Sequence, residues 1–147
     1  MQTAFSSIGR AIATALTADP AVCPRVAYQR TRPIGQSEPT AVVVRLFGRS
    51  QAASAGTGGG LDWKTPYAVD CYARGSTDDE TQVLIDDLLA RVHERLLSDP
   101  SIGGQVMGLE VDSVAWDFEA ADQTLGAATL VVQALHRTRT GNLAALF

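Results

Sequence analysis

The sequence predicts an α+β domain, a mostly antiparallel sheet of about five strands with an N-terminal helix and one long helix packed on one face, in the order α-β-β-β-α-β-β. Three observations predict it. Apolar residues recur every three or four positions in two segments, they alternate or run β-branched in five others, and glycine, proline and Asx clusters separate them. The strands come in groups rather than alternating with helices, which argues against a parallel doubly wound sheet. A length of 147 residues supports one core, so residues 1–147 are expected to form one domain.

Residues 3–18 place Phe5, Ile8, Ile12 and Leu16 on one stripe, and Asp19-Pro20 ends that helix. Residues 22–32 alternate around Val26 and Tyr28, and Pro24 assigns them to a sheet edge. Residues 33–39 read as a loop. The run 41–48 is rich in β-branched residues and reads as an interior strand. In 61–74, Trp63, Thr65, Tyr67, Val69, Cys71 and Ala73 face one way and Lys64, Asp70, Tyr72 and Arg74 the other, giving a long strand with one wet face.

Thr77 with Glu80 three residues on forms a capping box, and the acids around it suit the positive end of a helix dipole. That helix runs to about Ser98 with a stripe of Leu84, Ile85, Leu88, Leu89, Val92 and Leu96, leaving Asp86, Asp87, Arg91, Glu94 and Arg95 outside. Residues 109–119 and 125–139 alternate again and form a closing hairpin, with Trp63 and Trp116 expected as core anchors. Residues 50–60 have almost no side chain to bury and are expected to be a flexible loop that orders on meeting a partner, and 141–147 a loose but apolar tail.

Several chemistries are excluded by spacing. In 54–65 the glycines Gly56, Gly58, Gly59 and Gly60 precede Lys64-Thr65, yet a phosphate loop needs its lysine directly after the last glycine and a helix behind it; here a strand follows. His93, His136, Cys23 and Cys71 are scattered, without metal-ligand spacing or an activated nucleophile, and both histidines read as surface or partly buried side chains. The acidic pairs lie at a helix start or on outward faces. No cofactor and no enzymatic activity are expected. The net charge of −4 argues against a surface built for duplex DNA. No run approaches the roughly 18 apolar residues of a membrane span. The first residues lack a basic region followed by a long apolar run, so a cytoplasmically made protein with reduced thiols is expected. Residues 1–76 carry 8 basic and 4 acidic side chains and residues 77–147 carry 4 and 12, so the two halves are opposite electrical poles suited to head-to-tail contact between copies.

The segments LLARVHERLLSDPSIGG (88–104) and VAWDFEAADQTLG (114–126), with the opening helix, the strand bearing Trp63 and Tyr67 and the final strand, resemble the tail terminator proteins of long-tailed bacteriophages, also called minor tail protein U. The resemblance implies a virion protein, assembled in the host cytoplasm, that forms a ring, usually of six subunits in the family. Such a ring caps the head-proximal end of the tail tube, stops its polymerisation and offers a surface to the head-side connector. DNA is a partner only as it passes through the channel, and no membrane is involved. The sequence departs from the family pattern in its longer glycine loop and apolar C terminus. Candidate contact residues are Arg30, Arg32, Arg45, Arg49 and Arg74 on one side and Asp78, Asp79, Asp86 and Asp87 on the other, with the glycine loop and Leu143, Leu146 and Phe147. Two alternatives stay open: another neck component, a connector or completion protein, and a small-molecule-binding α+β dimer.

Overall fold

A computed structural model describes residues 2–29, 39–54, 56, 58–119 and 124–146. The elements are α1 (Ala4–Thr17), β1 (Val26–Tyr28), β2 (Thr40–Leu46), β3 (Gln51–Ser54), β4 (Leu61–Gly75), α2 (Asp78–Ser98), β5 (Gly108–Glu119), β6 (Thr124–Arg139) and β7 (Asn142–Leu146). The sheet order is β1-β2-β4-β6-β5, with β3 on β4 and β7 on β6. All pairs are antiparallel except β1 with β2. The α+β class and mostly antiparallel sheet are as expected, with seven strands in place of about five.

The two extra strands fall where a loop and a tail were expected. β3 occupies part of 50–60 and pairs Gln51 with Lys64 through Ser54 with Leu61, continuing the line of β2 along the same edge of β4. β7 occupies most of 141–147 and folds back on Thr138 and Arg139 of β6. β3 is exposed throughout and β7 at Asn142 and Leu143, with Ala144 half-buried, so backbone pairing more than burial holds them. Of the predicted strand 22–32, Val26–Tyr28 is strand and residues 22–25 are not; Gln29 takes φ +53°, and residues 30–32 lie outside the described residues.

Thr3 caps α1, and Ile8, Ile12 and Leu16 bury completely. Thr77 Oγ1 accepts from the Glu80 N–H at 3.1 Å, while the Glu80 carboxylate reaches back to the Ser76 N–H at 3.0 Å. Of the α2 stripe, Leu88, Val92 and Leu96 are fully buried in the cluster with Val69, Cys71, Leu130 and Val132, Ile85 is fully buried with Ala73 and Ala128, and Leu84 and Leu89 are half-buried. Arg91 and Arg95 were expected to point outward; Arg91 is exposed and Arg95 half-buried, and neither is left to solvent alone. Arg91 donates to the Val22 carbonyl at 2.6 Å, and Arg95 to the carbonyls of Ala15 at 2.9 Å, Ala18 at 2.8 Å and Pro20. A cation there satisfies carbonyls that the last turn of α1 leaves unpaired and opposes its negative dipole end.

Near the start of α1, the Phe5 ring stands edge-on to Trp63 at 5.0 Å and to His136 at 5.5 Å. The Tyr67 hydroxyl donates to the Phe5 carbonyl at 2.7 Å, and Trp63 Nε1 to Thr138 Oγ1 at 2.9 Å. His136 is 1% exposed, deeper than its sequence suggested, and pairs with Thr65 Oγ1 at 2.8 Å. Burial pushes its imidazole down to about 4 from an ordinary 6.5. Both cysteines are buried thiols; burial pushes Cys71 up to about 12, and Cys23 is raised by the same cause.

Two predictions follow from this packing. Because the folded imidazole titrates below the unfolded one, only the unfolded chain takes up the proton between pH 6.5 and about 4. Stability therefore falls as pH drops through that window, by up to about 3 kcal/mol from this group. Urea midpoints at pH 7, 5.5 and 4.5 should show a shallower slope for His136→Gln than for the native chain; equal slopes contradict the assignment. Gly60 sits at φ +81°, where a Cβ would run into the Thr138 carbonyl oxygen, whereas Gly58 at φ +73° has open space around it. Gly58→Ala should cost about 1 kcal/mol of strain, and Gly60→Ala about 2–4 kcal/mol by thermal unfolding, since the clash adds to the strain.

Candidate assembly interface

The helix layer is narrower than the sheet. Five strands at about 4.8 Å spacing span roughly 24 Å, while two helices of about 10 Å diameter cover roughly 20 Å. α1 lies against β1 and β2, and α2 lies against β4 and β6. The strand left over is β5, at the sheet's edge.

Its helix-side face is nevertheless apolar throughout. Val114, Trp116 and Phe118 pair with Leu130, Ala128 and Gly126, which in turn pair with the core-facing Val69, Cys71 and Ala73. Leu109 and Val111 lie on the same face, because the register shift between Val111 and Ser113 inserts Asp112 as an extra residue and restores the alternation. Leu109 is buried and Val114 half-buried, but Val111 is 43%, Trp116 57% and Phe118 46% exposed. Trp116 is thus not the core anchor its sequence suggested. The Phe118 ring lies over Gly126, where any Cβ would come within 2.9 Å of it, so that glycine makes room for the ring.

The opposite face of the sheet mixes charged side chains with the buried Ala41, Val43, Ala68 and Val131, and among the described residues neither helix covers it. Its charges are largely paired. The buried Asp70 accepts from Arg45 Nε at 2.6 Å and from Thr129 Oγ1 at 2.6 Å. Asp62 accepts from Arg137 Nε at 2.6 Å, a hydrogen bond that holds its carboxyl below the ordinary value. Lys64 meets Glu110 at 3.4 Å, and Gln133 Nε2 donates to Asp112 at 3.0 Å. The wet face expected for β4 is therefore dry at its centre, where Ala68 and Asp70 are buried and Asp70 is held by Arg45 and Thr129.

Charge separates across the sheet. On the α1, β1 and β2 flank the exposed side chains include Arg10, Arg25 and Arg49, with Asp19 as their acidic neighbour in sequence; on the α2 and β5 flank they include Asp78, Asp79, Glu80, Asp86, Glu94, Glu110, Asp112 and Asp117.

The residues singled out from sequence distribute unevenly over this frame. Arg49 lies exposed past the end of β2, and Arg45 is committed to Asp70 with its guanidinium 5.3 Å from the Phe47 ring centre, so it is an internal partner first. Arg74 is half-buried on β4. Asp78, Asp79 and Asp86 are exposed on α2, while Asp87 pairs with Arg91 at 2.8 Å. Gly56 and Gly58 are exposed, Gly59 donates to the Gly56 carbonyl in the turn between β3 and β4, and Gly60 is buried against β6. Leu143 is 41% exposed on β7, and Leu146 pairs through its backbone with Thr138. Arg30, Arg32 and Phe147 lie outside the described residues. The residues that sequence reasoning missed are Val111 and Phe118 with Trp116, and the exposed Leu46 and Phe47 at the end of β2. A strand apolar at every second position with only two helices to cover five strands is the signal that could have found the first three.

Among the described residues no three His, Cys, Asp or Glu side chains converge as a metal site, and no helix is long and apolar enough to cross a membrane. A scan against protein-family models finds no match, and neither does a search of curated proteins. Among solved structures, the chain is similar to one in an assembly described as the virion of a native gene transfer agent particle, with a TM-score of 0.63 and 17% identity over 89% of this chain and 95% of that one. At that identity the likeness is one of fold.

Proposed function

We propose that this chain is a non-catalytic structural subunit of a phage-like virion, and that it forms a ring capping the head-proximal end of a tail tube, where it ends tube polymerisation and presents a surface to the head. The observation that carries the virion role is the likeness to a chain of a virion assembly, which extends over nearly the whole of both chains. The finer role of terminator rests on the sequence resemblance.

Two features of the molecule support assembly as its work. A cyclic ring needs heterologous contact between two different patches on each subunit, and the basic and acidic flanks supply such a pair. The incompletely covered side of β5 supplies apolar area, which matters because exposed ion pairs contribute only about 0–1 kcal/mol each. The charges of the open sheet face are mostly satisfied internally, so the flanks are the better docking surfaces.

The test is a tube assay. Added to tail-tube protein of the same particle during polymerisation, the purified chain should shorten the length distribution and appear at one tube end by electron microscopy. Unchanged lengths with binding to heads instead would favour a connector or completion protein, and unchanged lengths with binding to neither would contradict a virion role at the tail.

A further inference from the structure

Beside β5, the helix layer leaves a strip whose floor and wall can be named. The floor is Val111, Trp116 and Phe118, each between two fifths and three fifths exposed. The wall is α2. Arg91 and Arg95 tie one side of that helix to the end of α1, so helical spacing places Gln82, Leu89 and His93 on the side toward β5. An apolar floor on an edge strand that no other described strand pairs is a surface that natural sheets normally cover or charge.

We propose that this strip is the socket for a second copy of the chain, which enters with its opposite flank, the end of β2 carrying Leu46 and Phe47. The inference rests on the ring reading and names the contact that would close it. Charge complementarity selects this occupant. The α2 rim of the socket carries Asp86, and Asp117 lies on the far face of the same edge strand, whereas the entering end of β2 is followed by Arg49. That flank also brings its own exposed apolar pair, Leu46 at 39% and Phe47 at 41%. Socket-to-socket contact would set acid against acid, which disfavours a two-fold dimer through this face and favours head-to-tail addition. Aromatic side chains at the centre of a contact, bordered by charge, are where binding energy concentrates.

Sedimentation equilibrium of the full chain tests it. Trp116→Ala with Phe118→Ala should weaken self-association at least ~30-fold, the effect expected of a central aromatic pair. Far-ultraviolet dichroism should be unchanged, because both side chains are about half exposed already. Val111→Lys gives a second route into the same socket, and Arg49→Glu should weaken association from the other side. Val83→Ala, at 66% exposure on the solvent side of α2, should change nothing. Native-like association by the socket variants, or a native chain that stays monomeric up to about 1 mM, overturns the inference. Socket variants that associate normally and still shorten tubes would remove this inference and leave the capping role standing. A native chain that associates through the socket yet never affects tube length would do the reverse.

Discussion

The arrangement turns on a mismatch of widths: two helices can dry about four strands, and this sheet has five across. Everything under α1 and α2 is packed to completion, with Ile8, Ile12, Leu88, Val92, Val42, Val69 and Leu130 all at or near zero exposure. β5 is held instead by its long ladder with β6, by the buried Leu109 and by half-buried Val114. Its remaining apolar side chains are the surplus that a lone subunit cannot hide. An edge strand of 12 residues whose helix-side face is continuously apolar makes sense in a molecule whose working form is an assembly.

The two faces of the sheet divide the labour. On the helix side, burial supplies stability, with roughly 1.5–3 kcal/mol for each large aliphatic side chain removed from water. On the other, cross-strand charge pairs built around Asp70 and Asp62 keep the surface polar. Because these pairs are internally satisfied, the net polarity of the chain appears at its flanks, positive along α1, β1 and the end of β2 and negative along α2 and β5. That separation was present as a difference between the two halves of the sequence; the fold turns it into a difference between two edges of one sheet.

The helices and long strands were legible because their signals are local: the Thr77 and Glu80 cap, the spacing of Ile8, Ile12 and Leu16, and the alternation through β4 and β6. β3 was not, since Gln51-Ala52-Ala53-Ser54 has no β-branched residue and exists as a strand only because the end of β4 offers it an open edge. β7 is strand for the same reason against β6. Among the candidate contacts, the charge poles could be read by counting, but Arg45 is claimed by Asp70, a partner 25 residues away. Trp116 was misplaced because alternation tells which face a side chain takes and says nothing of whether a helix covers that face. His136 was underestimated for a related reason: its depth comes from Phe5, which packs on it from another element.

The central claim is that the bare side of β5 is where one copy receives the next. Electron cryomicroscopy of the assembled form, free or on a tail end, measures this most directly through the surroundings of Trp116. The account predicts that the indole is covered by a neighbouring copy's β2 flank; a closed ring in which Trp116 and Phe118 still face solvent would contradict it.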